Sequence, residues 1–176
     1  MSAATHSSGT DGDFNLVEIW IRRDPVRWMA GAFAGLFAAL VMWLTTALMA
    51  RTCGNEGWFL LKAFAIPLLG GKAMAFGFHP QAIFTGAVLF GLLAAFLGVI
   101  FAHFTGTNRA KPLLAMGVVW GCFSWIFLNN LFSSSFREVF ALQVPKGYAL
   151  GAWMAFGIAM ASVSFFDRLF RSGKSA

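Results

Sequence analysis

The sequence predicts an all-α integral membrane protein with four transmembrane helices, short interfacial helices and both termini on the cytoplasmic side. Three observations predict it. The chain is 59% hydrophobic and only 11% charged, whereas a soluble domain averages about 25% charged residues. Four apolar segments are long enough to cross a hydrocarbon core of about 30 Å. The basic residues are concentrated beside the segment ends that would share one side of the membrane.

The first 23 residues divide into a polar tail and an amphipathic segment. Residues 1–13 are rich in Ser, Thr and Gly and lack the basic start of a cleaved signal peptide, so we expect a mobile tail. In residues 14–23 the apolar side chains share one side at helical spacing: Phe14, Leu16, Val17, Trp20 and Ile21. Because the segment is too short to span a bilayer, it predicts an interfacial amphipathic helix. A helix packed on a partner protein would have the same pattern.

The membrane domain is predicted over residues 24–170, followed by a basic tail at 171–176. Its four spans are predicted at about 25–50, 81–104, 112–132 and 147–166. The first has no charged side chain from Trp28 to Ala50, and the other three contain none. Asp24-Pro25 is a favourable helix start, because Asp caps free N–H groups and proline at the first helical position loses no hydrogen bond.

Residues 57–76 form a further apolar stretch, long enough to be considered as a fifth span. Lys62, Pro67, the Gly70-Gly71 pair and Lys72 argue against it. A lysine near the middle of a membrane costs about 2.5–3.5 kcal/mol on insertion scales. The stretch therefore predicts an interfacial or re-entrant segment.

A second short interfacial helix is predicted in the loop before the last span. Ser135 is followed three residues later by Glu138, which is the spacing of a capping box. Apolar residues follow, and Pro145 ends the run.

The distribution of basic residues predicts the orientation. Eight would lie on the side that holds both termini: Arg22, Arg23, Arg27, Arg109, Lys111, Arg168, Arg171 and Lys174. Five would lie on the other side: Arg51, Lys62, Lys72, Arg137 and Lys146. Because cytoplasmic loops carry the excess of Lys and Arg, we expect a multi-pass protein of the cell inner membrane with both termini cytoplasmic.

The net charge of +6 suggests anionic lipid headgroups as the partner, and not nucleic acid. The residues expected at the lipid interface are Trp20, Arg22, Arg23, Arg27, Arg109, Lys111, Arg168 and Arg171. Asp24 and Asp167 are interpreted as helix caps and interfacial anchors.

Small residues at four-residue spacing occur in every span. In a membrane such stripes allow helix backbones to approach closely, which is how apolar helices associate there. The predicted packing positions are Gly31, Gly35, Gly91, Gly117, Gly121, Gly151 and Ala155.

Two histidines are the candidate cofactor ligands. His79 precedes the second span and His103 closes it, so a helix rise of 1.5 Å per residue separates them by about 36 Å. They cannot share one metal ion. Each could be a single axial ligand to a haem or chlorophyll-type pigment held together with a partner subunit, or an ordinary interfacial histidine. The sequence requires no cofactor, and no residues are assigned to catalysis or to a metal site.

The function expected from these features is a non-catalytic accessory or scaffolding subunit of a larger membrane complex, such as a respiratory or photosynthetic one. The interiors of the predicted spans lack the Asp, Glu, Lys or Arg that a proton-coupled transporter usually needs within the membrane. Many of the 21 phenylalanines would face outward, against lipid or other membrane subunits. The alternatives are a small oligomeric transporter or channel with a re-entrant 57–76 segment, and a membrane enzyme or cofactor carrier that uses His79 or His103.

Overall fold

The computed structural model describes residues 24–131 and 146–172, and every regular element in these ranges is a helix. The elements are α1 Pro25–Thr52, α2 Phe59–Leu69, a 3-10 helix Gly70–Met74, α3 Pro80–Phe104, α4 Ala110–Leu131, α5 Lys146–Met160 and α6 Val163–Ser172. Several predictions lie outside the described residues. These are the tail at 1–13, the interfacial helix at 14–23 with Trp20, Arg22 and Arg23, and the capping-box helix after Ser135.

Four helices are long and apolar enough to cross a membrane: α1, α3, α4, and α5 together with α6. The predicted class, an all-helical chain with four apolar helices of membrane-spanning length, is therefore confirmed. Asp24 is the N-cap of α1, and its carboxylate accepts a hydrogen bond from the backbone N–H of Arg27 at 3.2 Å.

The fourth span differs from its predicted extent. Its helix is interrupted by a turn at residues 161–162, where the amide of Ser162 donates to the carbonyl of Ala159 at 3.0 Å. It then continues as α6 to Ser172, beyond the predicted end at 166. The prediction ended the span at the first charged residue, Asp167, whereas the structure pairs that residue inside the protein.

The spans form two closely packed pairs, α1 with α3 and α4 with α5, and α1 joins the pairs by also packing on α5 and α6. Glycines lie where the backbones meet. A Cβ atom on Gly31 would stand 2.5 Å from the carbonyl oxygen of Gly98 in α3, a separation that real Cβ atoms essentially never show. Gly117 faces Gly157 in the same manner across the second pair. Backbone approach of this kind maximises van der Waals contact, which drives helix association in lipid.

Residues 57–76 contain α2 and the 3-10 helix. With 11 residues, α2 is about 16 Å long, too short to span a bilayer. It packs on the first turns of α3, where Gly86 lies against the carbonyl of Leu61. The segment ends near its start, because the amide of Gly77 donates to the carboxylate of Glu56.

Candidate functional site

A buried cluster of charged side chains lies where α1 begins, α3 ends and α6 passes. At its centre is Arg27, in the first turn of α1, which is only 5% exposed. Its guanidinium donates to five acceptors: the carbonyl oxygens of Ala102 at 3.1 Å, Thr105 and Thr107 at 3.1 Å, the side-chain oxygen of Asn108 at 2.9 Å, and Asp167 at 3.5 Å. One side chain therefore joins three spans.

Asp167 is the acidic partner, and it is 1% exposed. Besides Arg27, it accepts hydrogen bonds from Asn108 at 3.2 Å and from Arg171 at 3.0 Å. Arg171 also pairs with Asp24 at 2.5 Å. Two arginines and two aspartates thus alternate in one network, and their formal charges cancel.

The end of α3 explains why an arginine occupies the centre. The last four carbonyls of a helix have no intrahelical donor, and they carry the negative end of the helix dipole. Two of the carbonyls that Arg27 reaches, those of Ala102 and Thr105, belong to this helix end. A guanidinium has five N–H donors in a fixed plane, so it can satisfy several such carbonyls and still reach a carboxylate.

This cluster was not predicted from the sequence. Arg27 was expected to contact lipid headgroups, whereas in the structure Arg27 is buried and donates to protein acceptors. The predicted topology contained a usable signal. In a chain with four spans, the start of the first and the end of the fourth lie on the same side of the membrane. An ion pair between Arg27 and Asp167 could therefore have been considered from the sequence.

The remaining predicted interfacial residues within the described ranges are on the surface. Arg109, Lys111 and Arg168 are exposed. The side chain of Arg171 is 48% exposed, and it is engaged by Asp24 and Asp167.

A second buried ion pair lies at the opposite end of α1 and α3. Lys62 in α2 is 1% exposed. Its ammonium donates to Glu56 at 2.5 Å and to the carbonyl oxygens of Ala75 at 2.9 Å and Gly77 at 2.5 Å. For Glu56, burial raises the pKa, but the hydrogen bonds from Lys62 and from the Gly77 amide and the charge of Lys62 outweigh it, so the pKa lies below its ordinary value.

The two candidate histidines remain apart. His79 is the N-cap of α3 and is exposed, with Nε2 at 3.1 Å from the carbonyl oxygen of Phe76. His103 lies in the last turn of α3, and its ring packs 6.2 Å from the ring of Trp28 and 5.6 Å from that of Phe104. Among residues 24–131 and 146–172, no group of three or more His, Cys, Asp or Glu side chains could hold a metal ion.

The predicted packing positions fall into two groups. Gly31 and Gly35 contact the backbone of α3, and Gly117 and Gly121 contact that of α5. The others are looser. A Cβ atom on Gly91 would lie 3.5 Å from Leu36 Cδ2, and one on Gly151 would lie 3.8 Å from Met49 Cε, which are ordinary van der Waals distances. Ala155 is half-buried. Gly86 and Gly157, which the prediction omitted, make backbone contacts as close as those of the first group.

Two cavities open beside α2. One, of about 500 Å³, lies between α1, α2 and α3, where Trp43 stacks on Trp58 at 5.5 Å and Phe78 packs on Trp58 at 5.8 Å. Its walls are almost wholly apolar, so they suit a hydrocarbon group. The other, of about 510 Å³, lies between the 3-10 helix and the start of α3 and includes polar side chains.

The described part of the chain thus contains the Arg27 cluster, the Lys62–Glu56 pair and the cavities beside α2. No protein-family model, curated protein or solved structure matches the chain.

Proposed function

We propose that the protein is a non-catalytic accessory or scaffolding subunit of a larger complex in the cell inner membrane, such as an energy-converting one. The observation that carries this proposal is the internal pairing of the buried charges. Ionisable residues inside membrane spans usually serve transport or proton relay. Here Asp167, in the fourth span, accepts from three donors, and the ammonium of Lys62, in the short helix α2 beside the spans, donates to three acceptors. Both groups are thus paired within the protein.

The outer surface of the spans supports a docking role. Between 28% and 39% of the most apolar part of each span is buried inside the chain, which leaves most of it for lipid or partner helices. Large aromatic side chains project from that surface: Phe33, Phe37, Phe84, Phe96, Phe123, Phe127 and Phe165. Aromatic rings supply large contact areas with few rotatable bonds, a favourable property at an interface.

The orientation that we propose places both termini in the cytoplasm. The exposed cations Arg109, Lys111 and Arg168 lie at the same end of the spans as the Arg27 cluster, next to Asn108 and Asp167 in the chain. The positive-inside rule assigns that end to the cytoplasm. Anionic lipid headgroups would be their partners there. Residues 57–76 would then lie at the other surface as an interfacial or re-entrant segment.

The test is extraction of the tagged, full-length protein in a mild detergent, followed by native electrophoresis and identification of the proteins that migrate with it. We expect other membrane proteins in fixed proportion. Photo-crosslinking residues introduced at the exposed Phe33, Phe96 and Phe123 should capture those proteins. The same residue introduced at Phe156, which is 0% exposed, is the control and should capture none. Recovery only as a free monomer or a pure homo-oligomer would refute the proposal.

A second candidate function is a small oligomeric transporter or channel in which residues 57–76 are re-entrant. The observation in its favour is that the two ends of residues 57–76 lie close together. Glu56, which precedes the segment, accepts a hydrogen bond from the amide of Gly77, which follows it. Irregular backbone at membrane depth is tolerated only where it is shielded by protein or lines a water-filled cavity.

Cysteine accessibility distinguishes the two candidates. In a chain with Cys53 and Cys122 replaced by serine, single cysteines along 63–71 would be treated with a membrane-impermeant thiol reagent. A water-lined path predicts labelling that extends inward from Gly70 toward Ala63. Failure to label any of these positions would exclude the transporter.

A further inference from the structure

The cavity between the 3-10 helix and the start of α3 has a polar rim and an apolar floor. Lys72, His79 and Gln81 form the rim, and Leu69, Ala73 and Ala82 form the floor. The volume of about 510 Å³ lies within the range of small-molecule sites. A lining divided in this way suits a ligand with a polar head and an apolar body.

The cavity is fixed by the packing around it. Ala73 and Ala82 are 1% and 4% exposed and belong to one apolar cluster with Ala65 of α2. The chain that follows the 3-10 helix is held by Lys62, which donates to the carbonyl oxygens of Ala75 and Gly77. The segment that carries Lys72 is therefore held before Lys72 by the packing of Leu69 and after it by the hydrogen bonds to Ala75 and Gly77.

The charges around the rim favour an anion. Lys72 supplies a permanent positive charge and makes no ion pair within the described residues. Among the described residues that line the cavity, none carries a carboxylate. The carboxylate that lies closest in the chain, Glu56, is engaged by Lys62 and by the amide of Gly77. The exposed His79 and Gln81 provide further hydrogen-bonding groups.

We propose that this cavity binds the phosphate headgroup of an anionic membrane phospholipid, with Lys72 as the main contact. The site lies at the start of α3, one of the membrane-spanning helices, and the end of such a helix is the depth expected for lipid headgroups. Leu68, which precedes the lining residue Leu69 in the chain, is an apolar side chain that is 67% exposed. The inference does not depend on the accessory-subunit proposal, because it concerns lipid binding by the isolated chain.

Native mass spectrometry of the full-length, delipidated protein in detergent tests the site. We expect phosphatidylglycerol to bind more tightly than phosphatidylcholine. Because a hydrogen bond to a charged group contributes about 1.5–3 kcal/mol, Lys72→Gln should weaken phosphatidylglycerol binding by about tenfold or more. Lys72→Arg should restore most of it. Arg51→Gln is the matched control. Arg51 is an exposed cation in the last turn of α1, and it does not line the cavity.

Three results would overturn the proposal: equal binding of the two lipids, wild-type affinity in Lys72→Gln, or an equal loss in Arg51→Gln. A further arm uses inorganic phosphate as the competitor. Displacement of the lipid by phosphate at equal concentration would show that the site recognises a free anion, which would refute its assignment to a lipid.

Discussion

The two ends of the helical domain solve the same problem with different partners. At one end Arg27 contacts Asp167, 140 residues away in the chain, and at the other Lys62 contacts Glu56, six residues away. In both, a buried cation satisfies a carboxylate together with backbone carbonyls left free by a helix end or turn. The first network holds separate spans together, whereas the second joins the two ends of one segment, residues 57–76. Loss of the first should therefore loosen the domain, and loss of the second should affect only α2 and its surroundings.

The largest effect is expected from Arg27→Leu. It removes the buried one of the two arginines that pair with Asp167, and it removes the donor from three carbonyls. Breaking a buried pair in this way costs about 3–5 kcal/mol. The measurement is the free energy of unfolding in mixed detergent micelles as the fraction of denaturing detergent rises. Arg168→Leu, which alters an exposed neighbour of Asp167, should change stability by no more than about 0.5 kcal/mol. Similar losses in the two variants would show that the cluster does not hold the spans together.

A smaller and more local effect is expected from Lys62→Met. The carbonyls of Ala75 and Gly77 lose their donor. Because Ala75 is exposed and Gly77 is half-buried, water can replace part of these hydrogen bonds, so we expect a cost near the lower end of the range of about 1–3 kcal/mol for an unsatisfied group. Glu56 is less affected than Asp167, because its side chain is 21% exposed and water can reach it. Hydrogen exchange followed by mass spectrometry should show faster exchange in residues 59–79 and unchanged exchange in α4 and α5. Faster exchange throughout the spans would contradict the contrast between the two ends.

A double-mutant cycle on Arg27 and Asp167 sharpens the comparison further. Residues in direct contact usually couple by about 0.5–3 kcal/mol. We expect Arg27→Leu with Asp167→Leu to be less destabilising than the sum of the single changes, because the double variant leaves neither charge alone. The same cycle on Arg27 and Arg168 should be additive to within about 0.5 kcal/mol. Additivity in both cycles would mean that Arg27 acts through its backbone-carbonyl acceptors and Asn108, and not through Asp167.

The contrast also marks what the sequence could and could not predict. The four spans follow from local composition, since lipid requires apolar side chains over a fixed length. The burial of Arg27 depends on Asp167 and Asn108, whose proximity arises only after the spans pack. For the same reason the fourth helix was predicted to end at residue 166, before the charged Asp167, whereas it continues to Ser172. The pairing of Asp167 with Arg27 is not evident from the sequence. Lys62 was correctly counted against a fifth span, yet its pairing with nearby Glu56 was missed because no pattern indicated that the chain returns at Gly77.

The smallest effect concerns the pH dependence of the Glu56–Lys62 end. Because folding lowers the pKa of Glu56, the contribution of Glu56 to stability is complete above the pKa of the unfolded chain, and it is lost as the pH falls through the folded value. Protonation weakens the pairing with Lys62 and the hydrogen bond from the Gly77 amide. Acid should therefore speed exchange in residues 75–79, after correction for the intrinsic rate, and Glu56→Gln should abolish this dependence, since its amide oxygen still accepts from Gly77. Acid-induced exchange that persists in Glu56→Gln would assign the effect to another group. It would also show that protonation of Glu56 does not loosen the contact of Glu56 with Lys62 and Gly77.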